Sequence, residues 1–365
     1  MAIPLSADDV LRLDASISDY TSASSSNIDP FELNTADPFI ASSGASHSDT
    51  WYNGTLSFEH SSDDRNTLWG AKASFSSEYD YSSVGFGGSF ARLFNEKNTE
   101  LSVHANVYFD TWSTIYPYEL RPFQEGREGI YNPLFNLITG NTDYNPANFK
   151  VHTQKGRNSY ALGFGFSQIL SKNLQASLAL DGVMQQGLLS TPFQRVYFAD
   201  VEDAFVQNFH LADDVERLPD QRIKLAVGGR LNYYINQFLT VRTFYRFYYD
   251  DWGISSHTAS IELPVKIGSR ITLYPSYRFY SQTAADYFAP YEAHLSTEKY
   301  YTSDYDLSRF SANQYGFGIR YTDVFTSIRI WKIGLKSIDL KYSRYDRNTT
   351  FHAGIITGSA KFIIE

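Results

Sequence analysis

Residues 250–258 carry aspartate, serine and histidine side chains of the types that perform hydrolysis. The cluster comprises Asp250, Asp251, Trp252, Gly253 and His257, together with Ser255 and Ser256. A nucleophilic serine needs a histidine base within hydrogen-bond reach and a third group that orients the base. Successive strand residues, however, point to opposite faces. Asp-Trp-Gly is also common turn chemistry, because aspartate bonds its own backbone and glycine accepts unusual dihedral angles. The sequence therefore favours a structural hairpin cap over a rim hydrolase.

A second set of charged side chains recurs at every second residue of several segments, which places each set on one face of a strand. The cations lie in the second half of the chain and the anions mainly in the first. Such charges inside a barrel would set up a field that orders water and selects small polar solutes by charge and dipole. The predicted lumen-lining residues are Arg222, Lys224, Arg230, Arg242, Arg246, Arg278 and Arg320, with the acidic residues Glu100, Asp110, Asp181 and Glu262.

The same charges have another interpretation. They can pair with one another, or with an inserted loop that plugs the barrel, and the connection 113–157 is long enough to fold inward. A barrel of about 14 strands holds an aqueous path only if nothing fills it. The sequence does not decide between an open or gated pore and a plugged barrel.

The connection 188–220 is rich in carboxylates, which are ligands that Ca²⁺ accepts. Its spacing matches no EF-hand loop, so the sequence favours a solvated acidic loop over a calcium site. Within it, Val201, Phe205 and Phe209 recur at every fourth residue. That spacing predicts a short amphipathic helix over 199–211, suited to capping a pore or docking a partner.

Metal and cofactor sites are not predicted. The eight histidines are scattered, without an HExxH motif or a close pair. The absence of cysteine excludes disulfides, thiolate catalysis and cysteine-ligated metal centres. The formal charge of −9 argues against a nucleic-acid partner.

The elements that position these residues are strands of alternating character. In residues 221–235 the odd positions, from Ile223 to Ile235, are mostly aliphatic or aromatic, whereas the even positions include Arg222, Lys224 and Arg230. The segments of this kind are about 12–14 residues long, against roughly 5–6 for the strands of soluble sheets. Short turns alternate with mostly longer connections, which is typical of outer-membrane barrels. No apolar run is long enough for a transmembrane helix.

Fourteen spans follow from this pattern, and the even number agrees with bacterial barrels. The spans are 9–21, 51–60, 67–78, 82–94, 99–112, 157–170, 174–187, 221–235, 239–250, 254–265, 270–282, 305–322, 335–345 and 352–364. We predict an all-β protein: one antiparallel up-and-down transmembrane barrel over residues 1–365, in the bacterial outer membrane. Residues 1–8 and the short turns would be periplasmic. The loops 22–50, 113–157, 188–220 and 284–303 would be extracellular.

Several motifs resemble an uncharacterised family of bacterial outer-membrane β-barrels known only as a domain of unknown function. They are SGAS at 43–46, GGRLN at 228–232, YRFYYDDWGISSHT at 245–258, RFYSQTAADYF at 278–288 and SDYDLS at 303–308. The resemblance spans most of the chain and implies a barrel in the outer membrane. Genes of such proteins tend to lie beside those of a flavin-transferring enzyme, a small lipoprotein and a thioredoxin-like protein. That association implies redox work in the envelope.

We therefore predict a non-enzymatic pore for small polar solutes, embedded in outer-membrane lipid and without a cofactor. The first alternative is a plugged barrel that scaffolds an envelope complex, with a small lipoprotein or a flavoprotein as partner. The second alternative is a rim hydrolase that uses His257 and Asp251.

Overall fold

Long antiparallel strands make up most of the computed structural model of this protein, which describes residues 2–21, 48–124, 137–206, 209–323, 325–349 and 351–364. The strands, in chain order, are β1 (Ala2–Pro4), β2 (Asp9–Thr21), β3 (Ser48–Ser61), β4 (Thr67–Ser77), β5 (Tyr81–Phe94), β6 (Thr99–Trp112), β7 (Ile138–Gly140), β8 (Gly156–Ser171), β9 (Leu174–Gly187), β10 (Arg195–Val196), β11 (Ala204–Val206), β12 (Phe209–His210), β13 (Asp214–Val215), β14 (Gln221–Tyr234), β15 (Thr240–Asp250), β16 (Ser255–Glu262), β17 (Val265–Ile267), β18 (Ile271–Gln282), β19 (Phe310–Thr322), β20 (Arg329–Ile330), β21 (Ile333–Arg347) and β22 (His352–Ile364). The helical pieces are α1 (Arg121–Gln124) and the 3₁₀ turns Tyr118–Leu120 and Tyr305–Leu307. Among the described residues, no helix combines the length and the apolar character that crossing a membrane requires.

One meandering sheet contains all the long strands. It has 17 strands, of which β1, β17 and β20 are short additions, and this leaves the predicted fourteen. Each long strand pairs antiparallel with the next one along the chain, from the β2–β3 hairpin to the β21–β22 hairpin. The β6–β8 and β9–β14 pairs are joined by the longer connections, and these leave the sheet at the same end as 283–309. We call this end the long-loop end and the opposite one the short-turn end.

The predicted spans agree with the strands except near two connections. The span 254–265 is divided into β16 and the short β17, and the span 305–322 begins only at Phe310, because Tyr305–Leu307 forms a 3₁₀ turn. The loop predicted at 22–50 lies outside the described residues over 22–47, and β3 already begins at Ser48.

The outer face of the sheet is apolar. On β14, Ile223, Leu225 and Val227 are 48, 44 and 43 % exposed, although they carry large aliphatic side chains. The alternate residue Lys224 lies on the other face, opposite Asp250 of β15. A soluble protein rarely exposes so continuous an apolar surface, whereas the outer face of a membrane barrel is apolar because lipid chains cover it. The predicted all-β fold class of long antiparallel strands is confirmed, and the apolar outer face agrees with the predicted location in a membrane.

Among the described strands, the two at the ends of the meander, β2 and β22, are the only long ones with an open edge, and no ladder joins them. The short β1 instead lies along the free edge of β2, where Ala2 is opposite Arg12 and Pro4 is opposite Val10. The edge of β2 is therefore covered over its first residues and open beyond them.

We expect β2 and β22 to pair directly in the membrane, because lipid cannot hydrate open strand edges. The chain has no cysteine, so disulfides between introduced cysteines report this pairing cleanly. One of three variants that combine Ser16→Cys with Ile355→Cys, Thr357→Cys or Ser359→Cys should cross-link in native membranes. Opposed inner-face residues lie within disulfide reach, at about 4.5–5.5 Å between Cα atoms.

A positive and a negative control accompany this experiment. Lys341→Cys with Thr357→Cys joins residues that already face each other in the β21–β22 ladder and must cross-link. Ser16→Cys with Ile356→Cys places the thiols on opposite faces and must not. Cross-linking of the first control alone would contradict closure of the barrel by β2 and β22.

Candidate functional site on the inner face

The inner face of β6, β8, β9, β14 and β15 forms a groove of about 420 Å³, which we call the lumen groove. Its floor consists of small residues because the register aligns them: Gly228 lies opposite Ala179, which in turn lies opposite Gly165. Charged side chains stand around this floor, with Arg230 and Arg246 on one side and Glu100 and Asp181 on the other. The groove therefore combines a smooth surface with charges of both signs.

One glycine beside the groove is required by close side-chain approach. Gly163 lies opposite both His104 of β6 and Asp181 of β9. A Cβ at this position would collide with the His104 ring. The glycine lets that ring lean over the backbone, so that Nε2 comes within 3.4 Å of the Asp181 carboxylate.

Most charges of the inner face pair with a neighbour. Three of the predicted cations have acidic partners on the adjacent strand: Arg222 with Asp250 at 2.5 Å, Arg242 with Glu262 at 3.1 Å, and Arg320 with Asp339 at 2.7 Å. In the first half, Asp110 pairs with Arg157 at 2.7 Å. Pairing within each half thus weakens the predicted field between two oppositely charged walls.

Arg157 was missed at the sequence level, although a signal was present. Its odd position matches Ser159 and Gly163, which share the inner face of β8 with it. Arg157 is the first residue of the predicted span 157–170, so the two-residue period already places its guanidinium on the inner face, where the register sets it opposite Asp110.

Three predicted arginines keep their charge uncompensated. In the part of the chain that the structure describes, Arg230, Arg246 and Arg278 form no ion pair within 4 Å. The Arg230 guanidinium lies 5.2 Å from the centre of the Phe244 ring. Lys224 faces the same interior, opposite Asp250. The lining of the lumen groove therefore carries two cations, Arg230 and Arg246, and two anions, Glu100 and Asp181. Lys224 and Arg278 add positive charge to the inner face outside the groove.

The turn 250–254, which we call the outer turn, is a closed structural unit. Asp250 is fully buried, and its Oδ2 accepts from Arg222 and from the Tyr248 hydroxyl at 2.7 Å. Its Oδ1 accepts from the backbone N–H groups of Trp252 at 3.1 Å and Ile254 at 3.0 Å. Gly253 has φ +86°, and a Cβ there would collide with the Asp286 carboxylate.

The residues of the hydrolase hypothesis do not form a triad, because Ser255 shares a pocket with His257 but Asp251 is bonded elsewhere. Asp251 accepts a hydrogen bond from the Ile223 backbone at 2.8 Å. The His257 ring lies beside Phe247 on the outer face, where Nδ1 bonds the Tyr245 hydroxyl at 2.8 Å. Ser256 is buried and lies opposite Tyr248, on the inner face. The outer turn therefore has the geometry of a hairpin cap.

The loops at the long-loop end pack against one another. The described parts of 113–157, 188–220 and 283–309, which we call the loop layer, contain three buried apolar clusters. One cluster joins Tyr116, Phe149 and Tyr197, which come from two of the loops. Arg195 and Glu119 form a fully buried pair beside it, with Nε to Oε1 at 2.6 Å.

One prediction about 188–220 is wrong and another holds only in part. Residues 199–211 do not form a helix: β11 and β12 pair as a hairpin, and β7 adds to β11 as a third strand. The pairing with β7, 64 to 68 residues away, overrides the local four-residue spacing. The acidic loop is solvated only in part, because Asp200, Glu202 and Asp220 are exposed, whereas Asp214 is fully buried with Arg217 and Tyr301 as partners.

Burial also changes the protonation of the loop layer. Glu216 accepts from the Thr302 hydroxyl at 2.5 Å and from the Thr191 backbone at 2.6 Å. Burial nevertheless raises the pKa of Glu216 to about 7, since desolvation outweighs these hydrogen bonds. Burial likewise raises the pKa of Asp213 to about 6. The layer therefore holds carboxyl groups that are partly neutral near pH 7.

Comparisons with known proteins find one family model and several solved structures of low similarity. A family model described as "Protein of unknown function (DUF3570)" matches residues 29–348. The ferric enterobactin receptor PfeA of Pseudomonas aeruginosa is 12 % identical with a TM-score of 0.46, over 95 % of this chain and 49 % of that one. The siderophore receptor PirA of Acinetobacter baumannii is 10 % identical with a TM-score of 0.47, over 99 % and 54 %.

A bacterial polysaccharide outer-membrane secretin is 8 % identical with a TM-score of 0.46, over 87 % of this chain and 79 % of that one. This chain spans about half the length of the two receptors. No curated protein matches it.

Proposed function

The chain belongs to the DUF3570 family of proteins of unknown function, and we propose that it is an outer-membrane pore for small polar solutes, with a preference for anions. The observation that carries this proposal is the lumen groove, where Arg230 and Arg246 stand unpaired over a floor of glycine and alanine. Small floor residues leave room for a hydrated solute. Unpaired guanidinium groups attract anions and exclude cations of similar size.

The acidic side of the groove supports a solute of mixed charge. Glu100 and Asp181 lie on β6 and β9, across the floor from the two arginines. Asp181 lies 3.4 Å from Nε2 of His104, whereas the two arginines have no ion-pair partner within 4 Å among the described residues. A field directed from one wall to the other orients a dipolar solute as it passes.

The loop layer supports gating of this pore. It lies at the long-loop end and contains its own buried clusters and a buried ion pair. Burial of inner-face residues also increases toward this end of β15: Arg246 is exposed, whereas Asp250 is fully buried. Opening would then require the layer to separate from the strand ends.

Single-channel recording in planar bilayers tests the proposal. The wild type should give stepwise conductance with more anion than cation current in a salt gradient. Arg230→Glu with Arg246→Glu should reverse that preference, because it replaces two unpaired cations of the groove with anions. Selectivity should change by at least several-fold, while strand content in circular dichroism stays the same.

The matched control is Lys172→Glu, which makes the same type of charge change at an exposed short turn outside the groove. It should leave selectivity near the wild-type value. A featureless baseline for folded wild-type protein, or equal selectivity in all variants, would contradict the pore.

The second candidate is a plugged barrel that scaffolds an envelope complex with a small lipoprotein or a flavoprotein. The buried clusters of the loop layer favour it, because a layer with its own core can stay closed permanently. Purification from native membranes would then yield a stoichiometric partner. A chain purified alone that conducts ions would count against the scaffold.

A further inference from the structure

A histidine and two carboxylates converge in the loop layer, away from the lumen groove. Asp203 precedes β11, His210 ends β12, and Glu292 belongs to the 283–309 connection. One ligand atom from each residue lies within 4.8 Å of the other two. Nε2 of His210 is 3.5 Å from Asp203, and Nδ1 is 3.4 Å from Glu292.

The His210 ring is held rigidly. It is buried between two aromatic rings, with the Tyr197 centroid at 4.4 Å and the Phe205 centroid at 4.6 Å, both nearly parallel to it. The ring plane is therefore fixed before any ligand binds. A metal site gains affinity from such preorganisation, because less conformational entropy is lost on binding.

The Tyr291 hydroxyl forms a hydrogen bond with the second nitrogen of the imidazole. Its hydroxyl oxygen lies 2.6 Å from Nδ1 of His210. When Nδ1 carries the hydrogen, it donates to Tyr291, and Nε2 presents its lone pair toward Asp203. A metal-binding histidine usually fixes its tautomer through such a second hydrogen bond.

Two carboxylates give this cluster a negative charge, and no lysine or arginine of the described residues forms an ion pair with either of them. Over the described residues, Asp203 and Glu292 make no ion pair within 4 Å other than with His210. Asp213 adds to this negative potential, since its charge interacts with that of Asp203. A bound cation would balance this negative charge.

We propose that Asp203, His210 and Glu292 form a binding site for a divalent transition-metal ion of the Zn²⁺ type. Zn²⁺ accepts histidine nitrogen and carboxylate oxygen at about 2.0–2.2 Å, commonly with water as a fourth ligand. The nitrogen–oxygen separation of 3.5 Å agrees with two ligands of one tetrahedral ion. Ca²⁺ prefers six or more oxygens and finds only two carboxylates here.

The ion would join the β11–β12 hairpin to the connection that carries Glu292. These segments are more than 80 residues apart in the chain, so one ion would fix the arrangement of two loops. Zinc would therefore stabilise the loop layer by an amount that grows with the ratio of the free zinc concentration to the dissociation constant.

Zinc chloride added to detergent-purified full-length protein without a polyhistidine tag tests this site. Equilibrium dialysis with metal analysis should give one Zn²⁺ per chain for the wild type. Asp203→Asn and Glu292→Gln change exposed or half-exposed carboxylates and should weaken affinity by about tenfold or more. His210→Gln should do the same, with folding checked by circular dichroism.

The control is His60→Gln, because His60 also pairs with a carboxylate, Asp9 at 2.8 Å, but has no third ligand. It should bind zinc like the wild type. As a second measurement, zinc should slow proteolysis within 283–309 in the wild type and the His60 variant only. Absence of saturable binding, or equal binding by Asp203→Asn and the wild type, would overturn the proposal.

Discussion

Replacing Glu119 with alanine is expected to loosen the loop layer and to raise the fraction of time that the pore we propose is open. Glu119 is fully buried and holds Arg195 through two contacts, Nε to Oε1 at 2.6 Å and Nη2 to Oε2 at 2.9 Å. Its removal leaves a guanidinium in surroundings that cannot hydrate it. Breaking a buried pair in this way costs about 3–5 kcal/mol, which exceeds the stability of many local structures.

A double variant separates lost stability from lost charge. Glu119→Leu with Arg195→Met replaces both charged groups with apolar side chains of similar size, which is often neutral or stabilising for buried pairs. We therefore expect Glu119→Ala to increase open probability and protease sensitivity within 188–220, and the double variant to restore both. Channel recordings and limited proteolysis on the same preparations make this comparison. Wild-type behaviour of Glu119→Ala would show that the ion pair does not hold the layer closed.

Strand residues could be assigned to faces from the sequence because lipid imposes a strict two-residue period on them. Ile223 had to face hydrocarbon, so Lys224 had to face the interior, and the register with Asp250 agrees. The strand number followed for the same reason, since each crossing needs a similar length. The Asp-Trp-Gly turn was also readable, because turn chemistry is local.

Pairing between charges could be predicted only in part. Arg222 and Asp250 lie on adjacent strands and meet across the β14–β15 hairpin. Alternation places both on the inner face, but it does not say which strand pair sets them beside each other. Predicting that two residues on the same face are in contact requires the register of the hairpin. A register error of one residue would move every side chain of a strand to the other face.

The loop layer was beyond prediction because its contacts have no period. Glu119 and Arg195 are 76 residues apart, and each looks like an ordinary surface residue in its own segment. The zinc site that we propose has the same character, since His210 meets Glu292 only when two loops pack together. The expected helix over 199–211 failed for a related reason: strand pairing with β7 outweighed local spacing.

Replacing Asp250 with alanine is expected to produce the largest loss of barrel stability among single changes at the outer turn. The carboxylate accepts from Arg222, from the Tyr248 hydroxyl and from two backbone N–H groups. Alanine leaves all of these donors without their partner, and the buried arginine contributes most of the cost. We expect a loss of about 3–5 kcal/mol in the free energy of unfolding.

Asp251→Ala is the matched control, because it removes a carboxylate one residue away. Asp251 accepts one bond through its side chain, from Ile223 at 2.8 Å, so its loss should cost about 1 kcal/mol. Urea unfolding in lipid vesicles, followed by tryptophan fluorescence, measures both variants. The hairpin cap predicts a much larger effect at Asp250, whereas a rim hydrolase predicts that Asp251→Ala and His257→Ala abolish turnover without changing stability. If the Asp250 and Asp251 variants had equal free energies of unfolding, the cap interpretation would be contradicted. The buried carboxylate of Asp250 would then stabilise the turn no more than the carboxylate of Asp251 does.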